Sequence, residues 1–246
     1  MARFRKVIKA FRPRLFARLG THEIGVVAAL FAGAALLLLF GMLAEEVVEG
    51  ETQQLDRWAL LLLREAHDPA ELLGPPWFEE MVRDITALGS YAFIFILLAA
   101  ATGYLLLIGK KWLALLLVAA EGGGILISNL LKTGFDRPRP DLEHGARIFS
   151  ASFPSGHAML SAVTFLTLGA LLTRVNADRR VKLYFMAIAV VLTILVGMSR
   201  LYLGVHYPSD VIAGWCVGSA WAALCWAVAL WLQRRGEVEQ PKRQST

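Results

Sequence analysis

Residues 24–44 read IGVVAALFAGAALLLLFGMLA, from Ile24 to Ala44, without a single charged side chain. At 1.5 Å of rise per residue this stretch forms a helix about 30 Å long, the thickness of a bilayer's hydrocarbon core. A helix that is apolar on every side belongs in a large protein core or in lipid. Composition favours lipid: 57% of the 246 residues are hydrophobic, where soluble domains hold about 45–50%. Mean hydropathy is +0.54. Working outward from Ile24–Ala44, five more stretches have the same character: Tyr91–Ile108, Trp112–Leu131, Ala158–Leu172, Leu183–Met198 and Val211–Leu232. The fold expected is all-α, a six-span transmembrane helical bundle forming one integral membrane domain over residues 1–236, with a polar cytoplasmic tail at 237–246. Ala158–Leu172 is the weakest of the six spans, being short and carrying Ser161, Thr164 and Thr167, whose hydroxyls must bond within the bundle.

Charge sets the orientation. The N-terminal arm, residues 1–22, carries seven basic residues from Arg3 to Arg18. Six spans put that arm on the same side as Lys110 and Lys111, as Arg174, Arg179, Arg180 and Lys182, and as Arg234, Arg235, Lys242 and Arg243. That side therefore holds 17 of the 25 basic residues, and the positive-inside rule makes it cytoplasmic. The net charge of +5 is thereby explained by topology, so no nucleic-acid partner is expected, and anionic-lipid recognition by the arm is the alternative. The first apolar run is long enough to span and lacks a small-residue cleavage site, so it is expected to stay as a helix. Cys216 and Cys225 lie in the last span, where they serve as small packing residues. The absence of organelle-retention signals and the compact loops indicate a bacterial inner membrane.

Three segments then face outward. The first, residues 45–90, is acidic; its apolar pieces near Leu60–Leu63 and Trp77–Met81 are too short to cross and suit helices lying in the interface, separated by Pro75 and Pro76. The second contains Lys132-Thr-Gly-Phe-Asp-Arg-Pro-Arg139-Pro140 and Pro154-Ser155-Gly156-His157. The third is a short turn within Ser199-Arg200-Leu-Tyr-Leu-Gly-Val-His206-Tyr-Pro-Ser-Asp210. All end at one membrane face, which gathers one Lys, two Arg, two His and one Asp there.

That set describes an oxyanion site. Lys132, Arg139 and Arg200 supply fixed positive charge, with arginine able to grip phosphate oxygens in pairs. Ser155 suits the N-cap of the fourth span, whose first-turn N–H groups point at an anion, and Gly156 lets the backbone come close. His206 and Asp210 are four apart on a helix begun by Pro208, so the carboxylate can take one ring proton and leave the other nitrogen free. Such a histidine is a nucleophile toward phosphorus, and His157 is then the proton donor to the leaving group. A metal reading would recruit His144, His157, His206 and Asp210 as ligands. Three cations at the same point repel a divalent ion and replace its charge, so neither metal nor cofactor is expected. Arg137, two residues before Arg139 in an extended stretch, is a second candidate for the same anion; the spacing from Lys132 selects Arg139 and leaves the contribution of Arg137 open.

K-x6-R-P at Lys132–Pro140, P-S-G-H at Pro154–His157 and S-R-x5-H-x3-D at Ser199–Asp210 resemble the three-part signature of the type-2 phosphatidic acid phosphatase superfamily. The resemblance implies a membrane enzyme removing phosphate from a lipid. It implies a phosphohistidine formed on the His matching His206 and supported by the Asp matching Asp210. The His matching His157 protonates the leaving group. Residues matching Lys132, Arg139, Ser155, Gly156 and Arg200 hold the phosphoryl oxygens. The partners expected are a phosphorylated lipid and the bilayer, with no obligate protein partner. Phosphatidylglycerophosphate, phosphatidic acid and a polyprenyl diphosphate all fit. A lipid phosphotransferase with the same site is the alternative; an anion channel or transporter would need charges along several spans, and only Glu121 lies deep. Glu121, beside Gly122, Gly123 and Gly124, is expected to be a hydrogen-bonded carboxyl where two helices pack closely.

Overall fold

A computed structural model of the chain describes residues 21–141, 151–175 and 178–234. The basic arm up to residue 20, His144 and the polar tail lie outside the described residues. The elements are α1 (Thr21–Glu49), α2 (Gln53–Leu61), α3 (Pro76–Ala87), α4 (Tyr91–Leu107), α5 (Lys111–Phe135), α6 (Gly156–Val175), α7 (Arg179–Tyr202) and α8 (Pro208–Arg234). Among the described residues the only extended pairing is an isolated antiparallel bridge between Arg64 and Leu72. The all-α expectation holds.

Among the described residues five helices are each long and apolar enough to cross a membrane, and α4, with 17 residues, makes a sixth crossing only when taken with α3. The pair is bent by 48° at the Leu88-Gly89-Ser90 break. There the Ser90 hydroxyl accepts the Phe93 N–H and starts α4 anew. The two short outward pieces, α2 and α3, are helical as expected. Both present large apolar side chains outward, including Leu55, Trp58, Trp77 and Met81.

The span expected to be weakest turns out to be the central one. α6 packs against α5, α7 and α8, and 67% of its most apolar window is buried, against 6% for α1. Its hydroxyls are therefore spent inside the protein. Ser161 donates to Ala158 O at 3.0 Å, and Thr164 shares its proton between Leu160 O at 2.8 Å and the Glu121 carboxylate at 2.9 Å. A sequence that looks too polar for lipid is in fact one that scarcely meets it.

Small residues let the helices touch. A Cβ on Gly214 would lie 2.6 Å from Ser155 O, and one on Gly218 would lie 2.4 Å from Met159 O, so the α8 and α6 backbones are in direct contact. Gly197 and Gly123 instead receive the indole faces of Trp215 and Trp221. Those indoles donate to Thr193 O at 3.1 Å and Ala120 O at 2.7 Å. Glu121, 1% exposed, lies between the two ends of the Trp221 contact, Ala120 and Gly123. Its role as a buried packing carboxyl bonded by Thr164 agrees with the sequence reading.

Gly218→Ala should destabilise the bundle by about 1–3 kcal/mol, since a backbone carbonyl cannot yield to the new methyl. Gly122→Ala, whose Cβ meets nothing within 4 Å, should leave stability unchanged. Thermal unfolding of both variants in mild detergent checks this; equal midpoints would show that α6 and α8 are not in backbone contact.

Candidate active site

The Phe135 end of α5 fixes the first cationic segment. Asp136 caps α5 in the left-handed region at φ 40°, and prolines 138 and 140 keep the chain extended beyond it. Arg137 O accepts the Ser152 N–H at 2.8 Å, tying this stretch to the one that leads into α6. Between them Phe153, fully buried, packs with Phe40 and Phe135 at centroid distances of 5.9 and 4.9 Å. This aromatic plug binds the C-terminal halves of α1 and α5 to the α6 approach.

At the start of α6, the Ser155 N–H donates to Asp210 O at 2.9 Å, and Ser155 O accepts the Met159 N–H. The Ser155 hydroxyl makes no N-cap bond. It is buried without a partner among the described residues, next to the first-turn N–H groups of α6, and so keeps its proton for a ligand. Gly156 leaves room for Lys132: a Cβ there would lie 3.2 Å from Lys132 Nζ. Lys132 is within electrostatic reach of Arg139, Arg200 and Asp210.

Between α7 and α8 the chain reverses in five residues. Gly204 adopts φ 68°, which spares the turn a strained side chain, and Val205 N–H returns to Arg200 O at 3.2 Å. His206 follows, 1% exposed, and α8 begins at Pro208. His206 Nδ1 lies 3.4 Å from Asp210 Oδ2, and Nε2 lies 3.1 Å from Arg139 Nη1, which also donates to Val205 O at 2.7 Å. The ring is thus held from both edges. With its proton on Nδ1 facing the carboxylate, the Nε2 lone pair points at the cations.

Asp210 itself is fully buried. Oδ2 also accepts from the Ser152 hydroxyl and from the Tyr207 N–H, and Oδ1 accepts from Arg137 Nη1 at 2.7 Å. Burial pushes the His206 ring down to about 4; the hydrogen bond and charge of Asp210 restore only part of that loss, and Arg139 and Arg200 lower it further. Burial likewise lowers Arg139, while for Arg137 the attraction of Asp210 and Asp56 overcomes burial and raises it. Neither arginine loses its charge at any relevant pH.

The remaining expected residues close the ring. Arg200 donates to Thr86 Oγ1 at 2.9 Å and keeps Nε buried without a partner among the described residues. His157 is within electrostatic reach of Arg200, His206, Lys132 and Arg139. It lies against Gly89, where a Cβ would sit 3.3 Å from the imidazole Cδ2. All eight residues singled out from the sequence therefore meet at one end of the bundle. Among the described residues no three His, Cys, Asp or Glu side chains gather as a metal site, and His144 lies outside them.

The sequence reading missed the contribution of residues 45–90. Thr86 and Gly89 come from the α3–α4 break, and Asp56 comes from α2. Ser152 was passed over two residues before P-S-G-H. None carries a local signal: one carboxylate in an acidic segment and one serine in a loop look like solvated surface. Arg137 also changes status. Its guanidinium is bound to Asp56 and Asp210.

A helical membrane bundle with a caged histidine and converging cations defines a phosphoryl-transfer protein, and residues 110–234 match the PAP2 superfamily. The chain belongs to that superfamily, and it is a phosphoric ester hydrolase of the membrane. It is similar to phosphatidylglycerophosphatase B of Bacillus subtilis, with 30% identity over 191 residues, covering 77% of this chain and 90% of that one. It is also similar to lipid A 1-phosphatase of Rhizobium johnstonii, 38% identical over 113 residues and 42% of either chain. A crystal structure of a transmembrane PAP2 type phosphatidylglycerolphosphate phosphatase from Bacillus subtilis superposes with a TM-score of 0.72 at 28% identity. That match covers 87% of this chain and 100% of the other.

The His206 environment has a spectroscopic consequence. Because burial lowers its affinity for a proton, the ring should stay neutral, with the proton on Nδ1, between about pH 4 and 6.5, where a free histidine becomes charged. Nitrogen NMR of labelled histidine, with His206→Gln to assign the signal, reads this directly. A protonation midpoint at or above 6.5 would mean that Asp210 outweighs burial.

Proposed function

We propose that this protein hydrolyses a phosphomonoester or diphosphate on a membrane lipid through a phosphohistidine at His206. The observation that carries the reading is the two-sided clamp on that ring, with Asp210 on Nδ1 and Nε2 turned toward Arg139. Lys132, Arg139 and Arg200, with the Ser155 hydroxyl and the backbone at Gly156, hold the three non-bridging oxygens. Nε2 forms a bond to phosphorus as the bond from phosphorus to the lipid oxygen breaks, and His157 gives that oxygen a proton. Water then attacks the phosphohistidine with His157 accepting its proton, the P–N bond breaks, and free phosphate leaves. Asp210 keeps the proton on Nδ1 and stabilises the positive ring that phosphorylation creates. The three cations supply the charge stabilisation that a metal would otherwise provide, so the reaction needs none.

A lipid substrate is supported by the placement of the site at helix ends, where headgroups lie, and by relatives named for phosphatidylglycerophosphate and lipid A. The phosphatidylglycerophosphate reading is favoured because that likeness runs over nearly the whole relative. The distribution of Lys and Arg supports cytoplasmic termini and an outward site, and the bacterial relatives support a bacterial inner membrane. A reporter fused after Thr246 should be cytoplasmic and one inserted at His144 external; a cytoplasmic reporter at His144 would reverse the orientation.

The roles of the two histidines separate by leaving group. His206→Ala should abolish turnover on every substrate. His157→Ala should slow a lipid phosphomonoester by about 10²–10⁴-fold, because its alkoxide leaves badly without a proton. A nitrophenyl phosphate, whose phenolate departs unaided, should lose far less. Wild-type activity should survive chelator, release free phosphate without an added acceptor, and be inhibited by vanadate. Equal losses for His157→Ala on both substrates would make it a phosphate ligand. Activity that vanishes in chelator and returns with a divalent ion would end the metal-free reading.

A further inference from the structure

We infer that Arg137 and Asp56 form a positioning pair that sets the geometry of His206 through Asp210, so that α2 is a working part of the active site. The inference rests on the phosphohistidine reading. Arg137 bridges two buried carboxylates: Nη2 donates to Asp56 Oδ2 at 2.8 Å and Nη1 to Asp210 Oδ1 at 2.7 Å, with the side chain only 11% exposed. Asp56, 2% exposed, holds the start of α8 as well, accepting the Ser209 N–H at 3.0 Å and the Ser209 hydroxyl at 2.5 Å. Ser209 Oγ in turn lies 2.7 Å from Arg137 Nη1, Thr52 Oγ1 lies 3.4 Å from Nη2, and the Tyr207 ring covers the guanidinium at 4.4 Å.

The arrangement divides the two oxygens of Asp210. Oδ1 faces Arg137, while Oδ2 faces His206, Ser152 and the Tyr207 N–H. The carboxylate cannot rotate without giving up one set, so a bond made on the α2 side fixes the acceptor presented to Nδ1. Arg137 also sets a positive charge 2.7 Å from Oδ1 of the buried Asp210, opposite the oxygen that faces the ring, where Asp210 holds the proton on Nδ1 and leaves Nε2 unprotonated. Arg137 points away from the phosphoryl cations toward α2, with its Nη donors taken by Asp56, Asp210, Ser209 and Thr52. That separates its role from that of Arg139, two residues on, whose Nη1 sits on Nε2. The R-P-R-P stretch therefore puts one arginine on each side of the histidine.

The test is steady-state kinetics of Arg137→Gln, Asp56→Asn, the double variant and Arg137→Lys on a water-soluble nitrophenyl phosphate, with vanadate inhibition measured in parallel. Loss of an outer partner of this kind costs about 10–100-fold in activity. That loss is expected in kcat for each single variant, with KM and vanadate affinity within about threefold of wild type, because Lys132, Arg139 and Arg200 are untouched. Two residues acting on one carboxylate should not be additive, so the double variant should be little worse than either single one. Arg137→Lys, which keeps the charge, should recover part of kcat. Asp56→Asn preserves shape and an acceptor for the Ser209 N–H, and so serves should Arg137→Gln fail to fold. Wild-type kcat in a folded Asp56→Asn protein would overturn the inference. So would weakened vanadate binding with kcat intact in Arg137→Gln, which would make Arg137 a phosphate ligand. His206→Ala is run beside them: retained turnover there removes the phosphohistidine reading and this inference with it, whereas a dead His206→Ala with active Arg137 and Asp56 variants removes only the inference.

Discussion

Asp210 is a carboxylate with no exposure at all, at the mouth of a lipid-embedded bundle. A buried charge of that kind survives only if paired and fully hydrogen-bonded, since an uncompensated one costs several kcal/mol. Its partners come from four places in the chain: Arg137 after α5, Ser152 before α6, His206 and Tyr207 before α8, and, through Arg137, Asp56 on α2. Satisfying one carboxylate thus brings the two cationic segments, the P-S-G-H turn and α2 to the same point.

The same demand explains how the cations survive close together. Lys132, Arg139 and Arg200 repel one another, and Asp210 is the anion set among them: it is within electrostatic reach of Lys132 and holds His206, whose other ring nitrogen lies 3.1 Å from Arg139. Hydroxyls and carbonyls take up the remaining donors, Thr86 for Arg200 and Val205 O for Arg139. A phosphate would add the negative charge that this cluster lacks, which is the electrostatic basis for binding an anion there.

Below the site the packing follows a different rule. Lipid offers no hydrophobic drive between helices, so contact is made by shape: Gly214 and Gly218 admit the α6 backbone, and Gly197 and Gly123 admit tryptophan rings. The polar groups that remain, Thr164 with Glu121 and the two indole N–H groups with backbone carbonyls, are bonded across helices. α6 therefore stands at the centre of the bundle, with its polar face hidden, and its first turn is carried to the phosphate site on a rigid support.

Much of this was legible in the amino-acid order. Apolar runs of fixed length define spans because a bilayer has a fixed thickness, and the unbroken spacings around Lys132, His157 and His206 put cations, histidines and a carboxylate at helix ends on one face. The i, i+4 relation between His206 and Asp210 is local, so helix geometry alone brings them together. What the sequence could not contain was Asp56 closing on Arg137 over 81 positions, Thr86 on Arg200 over 114, or the Ser155 hydroxyl left without its cap. A lone acidic residue in a polar segment carries no mark of its partner, because burial and pairing are properties of the packed chain. Local chemistry was written in the order of residues; which charges would be buried together was decided only when the helices met.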